Sequence, residues 1–482
     1  QQQQQLLIMV KDLSHLLSDQ SKGRQPSPLK SAFKYYGKDD IVFLGGGLPM
    51  ADYFPWEKIV AYSPEPPFED GIGAQPSVTG KSVVSEVHKH KVEEFDIPLA
   101  RSLQYGNTQG NQELVQFLKD HTEMIHNVPY SEWDLCLTIG NTQSWEACIR
   151  TFCNPGDAIL VEEFTFPSAV ETARNLNVEF VPVKMDAYGI IPSALDELLA
   201  NWDSSKPIPK LLYSICTGQN PTGSSLNEER RKEIYAIACK YDFIIVEDEP
   251  YYFLQMNEYE TGKKTELKEQ THEEFLNALV KSFISMDVEG RVLRLDSFSK
   301  VLAPGSRIGW IVGQSALLER FIRLHEVSIQ APSGFSQSIV QALLGRWGQS
   351  GYVDWLIALR KEYTIKRDFT IQALEKYMPT EVVSWTPPIA GMFFTIVLDA
   401  AKHPEFKTKY NSDPLEVENA VYEHGLKDGC LMIPGSWFKA PNVPKTNETT
   451  FFYRGTYAAV PLETLGVGLE RFANAVKAEF GL

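Results

Sequence analysis

The stretch Leu211-Leu212-Tyr213-Ser214-Ile215-Cys216-Thr217-Gly218-Gln219-Asn220-Pro221-Thr222-Gly223 leads through residues 227–241 to Phe243-Ile244-Ile245-Val246-Glu247-Asp248-Glu249-Pro250-Tyr251. The two ends are short apolar runs rich in branched residues. The middle carries apolar residues at helical spacing. A strand, a helix and a strand in that order, both strands apolar throughout, predict parallel neighbours in a sheet covered on both faces. Outward from this unit the alternation continues. Ala158–Val161, Phe180–Val183, Arg291–Leu295 and Ile308–Val312 read as further buried strands, and 142–153, 168–176 and 315–327 as helices. The expected fold class is therefore α/β, a large domain with a mainly parallel sheet sandwiched by helices. The tail from about residue 345, with long helices and the strand-like Met392–Val397, is expected to form a smaller α/β domain. The division expected is 1–48 for an N-terminal arm and part of the small domain, 49–344 for the large domain and 345–482 for the small one. Residues 62–95 mix Pro, Gly, Ser and charge and read as a surface loop. Residues 255–285, rich in Lys and Glu, read as a surface insertion.

Composition narrows the function. The chain has 482 residues, 43% hydrophobic and 22% charged, which is a globular rather than a disordered balance. It contains no apolar run of about 18 residues, so no membrane-spanning helix is expected. Lys and Arg total 46 against 62 Asp and Glu, a net charge of −16. That balance argues against nucleic acid as a partner and requires a locally positive pocket for any small anionic ligand. Six cysteines, none in C-x-x-C spacing, read as reduced thiols, and no metal site is expected. The short apolar stretch after Gln1–Gln5 has no basic lead, so no signal peptide is expected and the location is read as cytoplasmic. The glutamines are assigned no function.

In open parallel sheets ligands sit beyond the carboxyl ends of the strands, so candidate site residues are sought there. Thr138-Ile139-Gly140-Asn141-Thr142 ends a strand and begins a helix, where free N–H groups and the helix dipole favour an anion such as phosphate. The same residues are also an ordinary helix cap. Asn220, in a turn that Gly and Pro explain unaided, is a side-chain donor to a ligand oxygen. Asp248 closes an apolar strand and needs a partner, either a cationic ring nitrogen, the N-terminus of a helix that it caps, or a structural salt bridge. Asp296-Ser297-Phe298-Ser299-Lys300 closes another strand, with Arg307 beyond it. A Lys desolvated at a strand end is a candidate nucleophile toward a carbonyl. Ser297 to Lys300 also fits S-x-x-K, but the K-T-G and S-D-N partners of that motif are missing. Arg454, after Phe451 to Tyr453, presents a fork suited to a carboxylate, of a substrate or of a structural ion pair. Gly80-Lys81-Ser82 is not a P-loop, because Gln75 stands where its first Gly is required.

Together these segments resemble the fold-type I aminotransferases that use pyridoxal 5′-phosphate (PLP). The order is shared: phosphate turn, N-P-T-G, E-D-x-P-Y, S-x-S-K, then Arg307. Gly45-Gly46-Gly47-Leu48-Pro49, Leu103-Gln104-Tyr105-Gly106, Gly391-Met392-Phe393-Phe394 and Pro434-Gly435 resemble the aromatic/2-aminoadipate/kynurenine subgroup, and within it the fungal aromatic aminotransferases. The resemblance implies transamination of phenylalanine, tyrosine and tryptophan with 2-oxo acids such as 2-oxoglutarate, in a ping-pong scheme. It implies Lys300 as the lysine that holds the cofactor covalently and shuttles the proton. Asp248 would pair with the pyridine nitrogen. Asn220 and Tyr251 would bond the ring oxygen, and Phe166 would stack on the ring where many relatives have Tyr. Asn141, Thr142, Ser297, Ser299 and Arg307 would hold the phosphate, with Tyr105 reaching in from a second subunit of a homodimer. Arg454 and Asn220 would bind the substrate carboxylate, and Gly47, Lys30, Tyr53 and Phe393 would shape the substrate pocket. Asn141-Thr142 departs from the Ser-Gln pair of the kynurenine enzymes, and Lys30 stands where some 2-aminoadipate enzymes have Arg.

The same core would serve a 2-aminoadipate or kynurenine aminotransferase, or a β-lyase. A transcription regulator with an aminotransferase-like domain would need a DNA-binding module ahead of the Gly-Gly-Gly turn, and the residues there are too few for one. A catalytically inactive scaffold does not explain the joint presence of Lys300, Asp248, Arg307 and Arg454.

Overall fold

The computed structural model describes residues 8–482, so Gln1–Gln5 lie outside the described residues. A seven-stranded sheet forms the centre. Its strands are β1 (Trp133–Thr138), β2 (Ala158–Glu162), β3 (Glu179–Val183), β4 (Leu211–Ser214), β5 (Ile244–Asp248), β6 (Val292–Ser297) and β7 (Gly309–Gln314). Their spatial order is β1-β7-β6-β5-β4-β2-β3. The run from β6 to β3 is parallel throughout, while β7 runs against both β6 and β1. The sheet is therefore mixed but mainly parallel, as the alternation in the sequence predicts. Residues of β4 to β7 are buried along their whole length, because helices cover both faces. Helices α1 (Asn141–Phe152), α2 (Pro167–Asn175), α3 (Glu228–Tyr241) and α4 (Ser315–His325) belong to these layers.

A second apolar cluster is built on a four-stranded sheet. Its strands are β8 (Val383–Ser384), β9 (Phe393–Asp399), β10 (Ile433–Pro434) and β11 (Thr450–Thr456), in the order β8-β9-β11-β10 and all antiparallel. Strand β9 alternates buried and half-buried residues, the pattern of a sheet with one face on a core. Helix α5 (Gly334–Tyr377) links the two clusters and is broken at Gly348, whose φ of 69° leaves the helical region. Residue 345 lies inside this helix, next to the break. The apolar side chains change cluster further on, between Leu359 and Ile371.

Two expectations are corrected. The segment 62–95 is not only a loop: Lys58–Ser63 and Val83–His88 pair as an antiparallel hairpin. Its first strand alternates exposed and half-buried residues, which gives too weak an apolar signal to stand out. The segment 255–285 is largely exposed only from about 257 to 271, since Gln255 and Met256 at its start are buried. From 272 onward it forms the helix His272–Ala278 and sinks Phe275, Phe283 and Ile284 completely into the core. The charged residues before them mask that apolar pattern.

Candidate active site

The antiparallel strand explains how the site is assembled. Strands β1, β4, β5 and β6 end at the same edge of the sheet. Because β7 runs the opposite way, it begins at that edge, with Gly309 opposite Thr138 of β1 and Asp296 opposite Trp310. Arg307, just before Gly309, is thus delivered to the place where the parallel strands end. A cavity of about 290 Å³ lies there. It is lined by Asn141, Thr142, Phe166, Asn220, Asp248, Tyr251, Ser297, Ser299, Lys300, Arg307 and Phe393 among the residues singled out from sequence. Residues scattered from 141 to 393 are therefore brought to one hollow, at the position where this sheet architecture binds ligands.

One end of the cavity is basic and rich in donors. Helix α1 starts at Asn141, capped by Gly140 with φ 113°. A Cβ built on Gly140 would lie 2.3 Å from Arg307 Nη2. Glycine here leaves the room in which the guanidinium lies over the helix N-terminus. Arg307 donates from Nη1 to the Pro304 carbonyl at 2.9 Å. Ser297 Oγ donates to Ser299 Oγ at 2.8 Å and accepts from the Ser299 N–H at 3.0 Å. A helix N-terminus, two hydroxyls and an arginine make a site for a phosphate dianion. Lys300 stands beside it and makes no ion pair with any described residue. Burial, and then the neighbouring Arg307, lower its ammonium below the usual lysine value, a shift in the direction of the neutral amine.

The other end is acidic and dry. Asp248 is buried at the end of β5, where burial pushes its carboxyl up to about 6 against the opposing pull of two hydrogen bonds. Asn141 Nδ2 donates to Asp248 Oδ1 at 2.8 Å, and the Tyr213 hydroxyl donates to Oδ2 at 2.6 Å. The Asn141 amide also donates to the Leu295 carbonyl at 3.0 Å. Both of its N–H bonds are thereby used. The side chain orients Asp248, and only the backbone N–H of Asn141 remains for an anion at the helix start. Tyr213 escapes the sequence reading because it sits inside a run that reads as plain apolar strand. The available signal is a phenol in a fully buried strand, which requires a polar partner.

Arg454 rises from the central strand β11, opposite Thr395 of β9 and Ile433 of β10. Its guanidinium lies 4.5 Å from the Phe393 ring centre and 4.6 Å from that of Phe438. Nη1 donates to Asn220 Oδ1 at 2.7 Å. No acidic side chain pairs with it among the described residues. Such an arginine, half-buried and held between rings, retains donors for a planar anion. Phe393 also meets Tyr251 edge-on at 5.7 Å. The turn carrying Asn220 is fixed against the second cluster by backbone contact, since a Cβ on Gly218 would lie 2.6 Å from Gly391 Cα.

Arg454 borders the cavity through Asn220 and Phe393 without lining it, and four other expected residues do not reach it within one chain. Lys30 and Tyr105 line a separate hollow of about 440 Å³, where Lys30 Nζ donates to the Gly106 carbonyl at 3.2 Å. Tyr53 is 79% exposed, and a Cβ on Gly47 would meet nothing within 4 Å. Lys30, Tyr53 and Gly47 therefore do not line the cavity of their own chain. They lie on the N-terminal segment, where Gly47 and Tyr53 are exposed.

The aminotransferase class I and II family model matches residues 80–472. An aromatic amino acid aminotransferase of Schizosaccharomyces pombe is 42% identical over 475 residues, covering 98% of each chain. An L-tyrosine:2-oxoglutarate aminotransferase of Serpula lacrymans is 35% identical, covering 89% of this chain and 84% of its own. The crystal structure of aminotransferase Aro8 from Candida albicans superimposes with a TM-score of 0.95 at 59% identity, over 98% of this chain and all of that one. The chain belongs to the class I and II aminotransferases, with the fold-type I architecture expected from its motifs.

Proposed function

We propose that the chain is a PLP-dependent aromatic amino acid aminotransferase that passes the amino group to 2-oxo acids such as 2-oxoglutarate. The observation that carries this reading is one cavity with an unpaired, desolvated Lys300 between a phosphate cradle and the buried Asp248. PLP fits the residues present. Gly140 lets the Arg307 guanidinium lie close over the start of α1, and the basic end of the cavity so formed suits the phosphate. Ser297 and Ser299 add hydroxyls there, Asp248 suits a protonated ring nitrogen, and Asn220 and Tyr251 suit the ring oxygen. When bound, PLP supplies an electron sink for the electrons of a substrate carbon.

The chain's own groups do the rest. Arg454 binds the substrate α-carboxylate, aimed by Asn220 and held between Phe393 and Phe438. Lys300 would hold the cofactor, and its amine, freed when the substrate amine takes its place, would accept the proton at the substrate α-carbon. Trp145, Phe166, Tyr213, Tyr251 and Phe393 give the cavity an aromatic lining. That lining, together with the names of the relatives above, supports phenylalanine and tyrosine as donors. This reading includes a cofactor-holding large domain and a smaller domain that brings Arg454.

A homodimer with shared sites belongs to the same proposal. Tyr105 is 58% exposed and absent from its own chain's cavity, as a residue serving a second copy would be. A cytoplasmic location is supported by six free cysteines. Among the described residues no helix is long and apolar enough to cross a membrane.

The test is the visible absorption of the purified protein. A yellow band that bleaches with phenylalanine and returns with 2-oxoglutarate is expected. A band bleached by 2-aminoadipate or kynurenine but not by phenylalanine would move the substrate within the subgroup. No band after adding PLP would overturn the cofactor reading.

A further inference from the structure

Asp248 presents an unusual balance. It is a buried carboxylate with no cationic side chain paired to it among the described residues. Isolated charge is costly in such surroundings, and a buried carboxyl takes up a proton unless something favours its ionised form. The groups that face it are few. Asp296 of β6 repels a second negative charge. The Cys148 thiol of α1 and the Tyr251 phenol are both pushed up by burial and by Asp248 itself, so they stay neutral. What remains is a pair of neutral donors, Asn141 on Oδ1 at 2.8 Å and Tyr213 on Oδ2 at 2.6 Å.

Tyr213 is the better anchored of the two. It lies on β4, in register with Val246 of β5, and is 1% exposed. The Trp145 ring lies 4.3 Å from its ring, and Trp145 is itself held through Nε1 to the Ala169 carbonyl at 3.2 Å. Burial and the adjacent carboxylate raise the phenol well above its ordinary value. It therefore keeps its proton and donates it into the bond with Asp248.

We propose that Tyr213 is a positioning residue whose phenol keeps Asp248 ionised and aimed into the cavity, so that the ring nitrogen facing Asp248 keeps its proton. The inference rests on the PLP reading for its consequence, while the Tyr213–Asp248 bond belongs to the chain alone. Without the phenol, Asp248 has one donor left and shifts upward in pKa. The proton it then holds is no longer matched to a cationic ring, and the electron sink weakens.

The experiment is Tyr213→Phe, alone and combined with Asp248→Asn. In the loaded enzyme the acid limb of kcat/KM for phenylalanine should move up by about one pH unit, and kcat should fall about tenfold with KM unchanged. In the Asp248→Asn background, Tyr213→Phe should cost nothing further, because the group it acts on is gone. A cofactor-free readout accompanies this. The stability gap between parent and Tyr213→Phe apoprotein should be full at alkaline pH and close as pH falls through the Asp248 value near 6. The sign follows from the linkage: the phenol favours the ionised carboxyl, so its contribution is present above that pKa and lost below it. A pH profile superimposable on the parent, an equal loss in both backgrounds, or a pH-independent gap would each overturn the proposal. If the parent holds no PLP, the cofactor reading fails on its own evidence, and the apoprotein titration still decides whether Tyr213 governs Asp248.

Discussion

At the scale of single residues, the site depends on side chains that are absent as much as on those present. Gly140 leaves the gap that the Arg307 guanidinium occupies, and its φ of 113° is unfavourable for any side chain. Gly140→Ala should displace Arg307 and weaken PLP binding by at least about tenfold, since a charge-assisted bond contributes on the order of 1.5–3 kcal/mol. Equilibrium dialysis of the apoprotein against PLP measures this. Unchanged affinity would show that Arg307 does not hold the phosphate. Lys300, Asp248, Asn220 and Arg454 are legible in the sequence as an ordered set of motifs. Tyr213 is not, because nothing in a single strand shows which residue on the neighbouring strand its hydroxyl meets. Asn141 is legible as a helix start, but its amide is turned to Asp248 by the placement of β5 and β6 beside it.

At the scale of elements, the parallel strands carry charge where the sequence suggests only an apolar run. Arg294 in the middle of β6 is fully buried and lies 3.3 Å from Glu247 Oε1 and 2.9 Å from Asp296 Oδ2. Its guanidinium also stands 4.4 Å from the Tyr252 ring centre. Acidic residues on two adjacent strands are compensated by one arginine between them. Arg294→Leu should destabilise the fold by about 3–5 kcal/mol, because it leaves buried carboxylates without a counter-charge. Chemical denaturation of the apoprotein measures the loss, and a change below about 1 kcal/mol would show that the cluster is not ionised. Helices and parallel strands are readable from sequence, since period and branching mark them strongly. The hairpin of Lys58–Ser63 with Val83–His88 is not, because much of it is only half-buried and the connection between its strands is long.

At the scale of the whole molecule, the N-terminal segment carries apolar surface that no described residue of the same chain covers. Val42 is 83% exposed and Leu44 89%, with Leu29, Met50, Tyr53 and Tyr62 also outward. Exposed apolar residues gathered in this way mark association surfaces. Light scattering should give twice the chain mass, and Leu44→Asp should raise the dissociation constant by about tenfold or more if this surface lies in the interface. A monomer at assay concentration with full activity would remove both the dimer and the cross-subunit role of Tyr105.

The α/β class, the order of the chemistry-bearing turns and the acidic balance of the chain all follow from the amino-acid sequence without further help, because each is written in local periodicity, turn chemistry or composition. Which of those residues meet is settled in three dimensions. The reversed direction of β7 carries Arg307 to the edge where β5 and β6 end. The neighbouring strand aims Tyr213 at Asp248, and the packing of Gly218 on Gly391 sets Arg454 beside Asn220. Contacts of this kind join segments far apart in the chain. They depend on strand order and register, which no local pattern encodes.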